Sequence, residues 1–138
     1  MTAILLDTNA LLWLVSAPDR VAPNARTTLA DQANELYVSA VSAWEVAIKT
    51  RIGRLDGAPL LSAWNETLAS MNAVDLVIDS ADATMAGQLN WNHKDPFDRM
   101  IVTQAARRSL TIATSDTQLI EGALTPVIDT RAEARKAR

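Results

Sequence analysis

The sequence predicts an α/β domain built on a mostly parallel sheet, and three observations carry that expectation. Short apolar runs, "TAILLD", "LYVSA" and "LTIAT", have the length and composition of strands buried on both faces. Longer stretches with apolar residues at helical spacing stand between them. Runs and helical stretches alternate along the chain without an internal repeat, the order expected of a parallel sheet with crossover helices.

Taken in order, "TAILLD" is an apolar strand closed by Asp7, and "NALLWLVS" follows at once as a helix. "PNARTTLADQAN" sets Pro23 at a first helical position, with Ala25, Leu29 and Ala33 at helical spacing. "LYVSA" is the second strand. "SAWEVAIKTRIGRL" is the third helix, ending near Gly53 or Gly57, and Ser42 with Glu45 three residues later reads as its capping box. "LLSAWNETLASM" reads as one helix with Leu61, Trp64, Leu68 and Met71 on one face. A weak strand "VDLVID", a short capped helix "SADATMAGQLN" and a strong helix "DRMIVTQAARRS" come next. The strand "LTIAT", a helical turn "DTQLIE" and a last short strand "PVID" complete a single domain over residues 1–130. The charged residues 131–138 read as a flexible tail. Trp13, Trp44 and Trp64 are assigned to the core.

Global composition narrows the function classes. The 138 residues are 49% hydrophobic, enough for one packed domain and too apolar for wholesale disorder. No run approaches the roughly 18 apolar residues of a membrane span. The first residues lack a positive leader, so no signal peptide is expected. Cysteine is absent, which excludes disulfides and thiolate metal sites and fits a cytoplasmic protein. A net charge of −3 argues against a protein that coats nucleic acid electrostatically. It is compatible with a nuclease that holds a cation on acids.

Four carboxylates fall where strands give way to helices. Asp7 ends the first strand, Glu45 lies in the first turn of the helix after the second, Asp98 starts the "DRMIVTQAA" helix, and Asp116 follows "LTIAT". Parallel sheets gather such positions at one rim. Carboxylates meeting there repel one another unless a cation lies between them. An oxygen-only donor set suits Mg²⁺ or Mn²⁺, and such ions favour phosphate esters as substrates. Simpler readings exist for Asp98 and Asp116 as helix caps, for Glu45 as half of a capping box and for Asp95 before Pro96 as a turn residue. Asp7, closing a wholly apolar strand, is the hardest to explain in that way. From the residues alone, ligand and cap both stay open. His93 beside the turn reads as solvent-facing, with a general base as the alternative. Lys49, Arg51, Arg54, Lys94 and Arg99 are candidates for contact with substrate phosphates.

Four motifs, "LLDTNALLWL", "VSAVSAWEVAIKTRIGRL", "HKDPFDRMIVTQA" and "TIATSD", in this order and spacing, resemble the PIN-domain family, and within it the VapC-like ribonuclease toxins of type II toxin–antitoxin pairs. The resemblance runs from Ile4 to about Ile128. It implies a three-layer α/β/α fold around a parallel sheet of about five strands. It implies an Mg²⁺- or Mn²⁺-dependent endoribonuclease that cleaves RNA phosphodiester bonds and is silenced by a cognate antitoxin. It also implies that Asp7, Glu45, Asp98 and Asp116 are the catalytic metal ligands, with Thr8, Asn9 and Thr114 in support. Asp95 is expected to be a turn acid or an outer support. A homodimer is expected from the family and from the apolar and tryptophan content. The competing readings are a catalytically silent PIN-like binding module and a receiver-type signalling domain. Receivers place paired acids after the first strand, whereas Asp7 is followed here by Thr8 and Asn9.

Overall fold

A computed structural model describes residues 1–131 of the chain. Its strands are β1 (Ala3–Leu6), β2 (Glu35–Ser39), β3 (Ala73–Leu76), β4 (Thr111–Thr114) and β5 (Val127–Asp129). They form one sheet in the order β3-β2-β1-β4-β5, and every neighbouring pair runs parallel. The helices are α1 (Thr8–Ser16), α2 (Pro23–Ala30), α3 (Ala40–Arg51), α4 (Ala58–Ser62), α5 (Trp64–Ser70), α6 (Ser80–Gln88), α7 (Pro96–Arg108) and α8 (Thr117–Gly122). The expected α/β sandwich on a five-stranded parallel sheet is what the chain adopts.

Strand alternation divides the core in two. Ile4, Leu6, Leu36 and Val38 point to one face and pack with Leu11 of α1, Ala25 and Leu29 of α2 and Leu68 of α5. Leu5 and Ile112 point to the other and pack with Ile101, Val102 and Ala105 of α7 and Leu119 of α8. Leu5 is as buried as its two neighbours, because β1 is central and covered on both sides. That explains why its sequence is continuously apolar rather than alternating.

One buried polar cluster braces the second helical layer. Asp82 of α6 is fully buried and accepts hydrogen bonds from Arg107, Arg108 and Gln104 of α7. Asp79 and Asp82 also form the capping box of α6. Burial works to raise the Asp82 carboxyl, but the bonds from Arg108, Gln104 and Arg107 outweigh it and hold the group well below the ordinary carboxylate range.

Several local expectations are corrected. The third helix begins at Ala40 with Ser39 as its cap, so Ser42 and Glu45 form no capping box. The stretch read as one helix over "LLSAWNETLASM" is two, broken at Ala63. Both pieces keep the same apolar period, so periodicity does not register the break. The late helix starts at Pro96 with Asp95 as its cap, two residues before Asp98. Trp13 and Trp64 pack on the core as expected, but Trp44 is 55% exposed and meets only the edge of Phe97 at 5.2 Å among aromatic rings. Apart from Arg131, the tail lies outside the described residues. No described helix is long and apolar enough to cross a membrane.

Candidate functional site

The strand order contains a reversal: the chain moves outward from β1 to β2 and β3, then crosses back to β4 on the other side of β1. Loops leaving β1 and β4 diverge at that point, and crevices of parallel sheets form there. A small cavity of about 90 Å³ lies there, lined by Asp7, Thr8, Asn9, Glu45, Lys49, Asp95, Asp98, Ile101 and Asp116. All four acids singled out in the sequence therefore face one space, although 109 positions separate the first from the last. A larger groove of about 660 Å³, lined by residues such as Leu14, Leu29 and Met71, lies elsewhere and gathers no such acids.

Each acid is placed by its local structure. Asp7 follows β1 and caps α1, its Oδ1 accepting the Ala10 N–H at 2.7 Å. Its Oδ2 accepts the Thr114 hydroxyl at 2.5 Å, and the same hydroxyl oxygen accepts the Asp116 N–H at 2.9 Å. Thr114 thus couples the ends of β1 and β4. Thr8 and Ser42 share a buried hydroxyl–hydroxyl bond of 2.9 Å that ties α1 to α3. Glu45, on the second turn of α3, is nearly buried and pairs with Lys49 one turn on. Asp116 caps α8 through the Gln118 N–H at 2.8 Å. Asp98 stands in the first turn of α7, where Asp95 takes the capping role by accepting the Phe97 and Asp98 N–H groups. The reading of Asp98 as a cap therefore fails, while Asp95 and Asp116 do act as caps.

Electrostatics single out two of the acids. Burial pushes the Asp7 carboxyl up to about 6; bonds from Thr114 and Ala10 offset part of that rise, and the charges of Asp98 and Asp116 add to it. Burial likewise pushes Asp98 up to about 6, His93 opposes the rise, and Asp95 and Asp116 reinforce it. Among the lining residues, five acids face the single ammonium of Lys49. Such a surplus of negative charge in a partly buried cavity favours a cation. The donors are carboxylate oxygens, which fit a hard divalent ion and not zinc held by thiolates.

Three side chains depart from expectation. His93 does not face solvent: its Nε2 lies 2.7 Å from Asp98 Oδ2. His93, Asp95 and Asp98 bring ligand atoms within 4.8 Å of one another, a spacing that could hold a metal ion. Lys49 is committed to Glu45, and Arg99 to backbone carbonyls, so neither is a free phosphate contact. The Lys49 pairing was legible in the four-residue spacing; the His93 contact crosses a proline-broken turn that no period describes.

The chain is similar to several known proteins. The PIN domain family model matches residues 4–123. Ribonuclease VapC22 of Mycobacterium tuberculosis is 29% identical over 119 residues, covering 86% of this chain and 91% of that protein. The fold is shared with VapBC2 from Rickettsia felis, solved bound to a DNA fragment from its promoter, at a TM-score of 0.66 and 13% identity, covering 93% of this chain and 98% of that one. FitAcB from Neisseria gonorrhoeae matches at a TM-score of 0.55 and 26% identity, covering 91% and 96% of the two chains.

Proposed function

Because the chain belongs to the PIN domain family, we propose that it is a metal-dependent endoribonuclease, the toxin of a toxin–antitoxin pair. The observation that carries this reading is the meeting of Asp7, Glu45, Asp98 and Asp116 in one cavity, with the first and third pushed up to about 6. Those four residues would hold one or more Mg²⁺ or Mn²⁺ ions. A divalent ion bound there supplies acidification of water and neutralisation of charge on the phosphate.

The chain's own residues prepare the site. Thr114 fixes the Asp7 carboxylate through its hydroxyl and holds Asp116 through its oxygen, so a shift of either strand end disturbs both acids. The Thr8–Ser42 bond keeps α1 and α3, hence Asp7 and Glu45, in register. Asn9 adds an amide at the rim. α1 and α7 begin at the cavity, and the positive ends of their dipoles favour the phosphate of an approaching RNA. Asp95, as the cap of α7, supports Asp98 without needing to touch the ion.

The relative named a ribonuclease, together with the VapBC2 and FitAcB structures, supports a cognate antitoxin as partner. Exposed Trp44, Ile52, Val77 and Leu124 offer apolar surface for that partner or for a second copy of the chain. A receiver-type domain is disfavoured by the strand order, since receivers follow 2-1-3-4-5 and this sheet does not. A silent binding module is disfavoured by the complete acid set.

The decisive experiment incubates the purified chain with labelled RNA while Mn²⁺ and Mg²⁺ are titrated. Cleavage should require the ion, stop on chelation and return on its replacement. Cleavage indifferent to chelation, or none at any ion concentration, overturns the reading.

A further inference from the structure

Arg99 follows Asp98 directly, yet its side chain turns away from the cavity. Its Nε donates to the Ala86 carbonyl at 2.8 Å. Nη1 donates to Trp91 at 2.8 Å and to His93 at 3.0 Å. Nη2 donates to Leu89 at 2.8 Å and, more weakly, to Gly87 at 3.4 Å. All five N–H donors of one guanidinium are thus spent on backbone carbonyls, the full capacity of that group. Two of those carbonyls end α6, where a cation also complements the helix dipole. The others belong to the irregular loop between α6 and α7.

That loop carries His93. Its other anchor is Trp91, whose ring tilts against the His93 ring at a centroid distance of 4.9 Å. Trp91 also lies so close to Gly122 of α8 that a Cβ there would come within 2.4 Å of the indole. The loop is held from below by Arg99 and from the side by the bare backbone of Gly122. His93 then reaches Asp98 Oδ2 at 2.7 Å. Asp98 and Arg99 project from adjacent positions of α7, so one turn of helix supplies both the acid and the clamp for the histidine that orients it.

We propose that Arg99 is a positioning residue for the metal-binding site, fixing through five carbonyls the loop that sets His93 on Asp98 and so holding that carboxylate in one orientation. The proposal rests on the reading of Asp98 as a metal ligand. Lysine cannot replace the fork, because one ammonium offers three donors in a different geometry. Gly122→Ala disturbs the same loop from the opposite side without touching Arg99. Arg107→Lys, on the same helix but directed at Asp82, is the control for general loss of stability.

The chain has one histidine, so its imidazole resonances are unambiguous. In ¹⁵N-labelled protein without metal, the wild type and Arg107→Lys should show a slowly exchanging Nε2 proton bonded to Asp98. Arg99→Lys and Gly122→Ala should lose it. Mn²⁺ binding, read from the paramagnetic resonance signal of the free ion, should weaken about tenfold or more in those two variants, the lower end of the roughly 10- to 100-fold range by which outer supports tune metal affinity. It should be unchanged in Arg107→Lys. Arg99→Lys that keeps both the imidazole signal and wild-type Mn²⁺ affinity would overturn the proposal. So would an equal loss of affinity in Arg107→Lys, which would make the effect one of stability. A wild type that binds no Mn²⁺ would overturn the metal reading and this proposal together; a wild type that binds it while Arg99→Lys matches it overturns only the latter.

Discussion

Two groups of buried carboxylates in this molecule behave in opposite ways. At the brace between α6 and α7, Asp82 is enclosed by Arg107, Arg108 and Gln104 and is held well below the usual carboxylate range. At the rim of the sheet, Asp7 and Asp98 are also largely buried, yet both are pushed up to about 6. Burial acts in the same direction on all three; the partners differ. Asp82 meets cations that belong to the chain, whereas Asp7 and Asp98 meet other acids and a few hydrogen-bond donors. A carboxylate matched internally stabilises the fold. A group of carboxylates left unmatched is positioned for a cation from outside, and it costs stability until that cation binds.

The comparison breaks most sharply at Asp98. Asp98→Asn should lower RNA cleavage in saturating Mn²⁺ by about a hundredfold or more, since a ligand charge is lost. The melting temperature without metal should stay level or rise slightly, because like-charge repulsion with Asp7 and Asp116 is relieved. Near-normal cleavage would remove Asp98 from the site.

The opposite pattern is expected at the brace. Asp82→Ala removes the acceptor that two arginines and Gln104 share, leaving Gln104 the Val77 carbonyl and the arginines the more exposed Asp79. The cost should be about 2–3 kcal/mol, below that of a fully buried pair because both arginines are partly exposed. The melting temperature should fall by roughly 6–12 °C, with cleavage by the folded fraction retained. A loss of cleavage larger than the loss of folded protein would show that the brace also serves the site.

The two regions should also divide in their pH dependence. The rim acids have folded values near 6, above the ordinary 3.8. The stability they contribute is therefore complete below 3.8 and lost as pH rises through about 6. Asp82 is depressed, so its contribution is present above 3.8 and lost as pH falls beneath it. Without metal, the melting temperature should decline between about pH 4 and pH 7, and Asp7→Asn should flatten that decline. A melting temperature that rises over this interval contradicts the unmatched charge. The smallest effect belongs to Asp95→Asn. Asparagine caps a helix about as well as aspartate, so stability should change by only a few tenths of a kcal/mol. Cleavage should stay within a few fold, and a hundredfold loss would instead make Asp95 a ligand.

Much of this was legible in the chain. An acid closing the apolar run before Thr8 marks the end of a doubly covered strand, and Asp7 is found there. The short Thr114–Asp116 segment reads the same way, because strand length and helix onset are local properties set by side-chain branching and capping. Contacts across loops were not legible. Ser42 fitted a capping box by spacing, yet Ser39 starts the helix one turn earlier and Ser42 turns inward to Thr8. Trp44 read as core because apolar character in sequence does not say which face of α3 is covered.

The sequence by itself determined the alternation of strands and helices, the parallel sheet this requires, and the acids that stand where strands end. Those features follow from periodicity, chain stiffness and the burial of apolar runs, which act over a few residues. Only the tertiary structure decided that Asp82 would be matched by arginines while Asp7 and Asp98 would not. It alone gave His93 to Asp98 and Arg99 to the loop beneath them. A carboxylate's charge is written in the chain, but its free energy depends on burial and on which groups stand within a few ångströms, and these are fixed when distant segments pack.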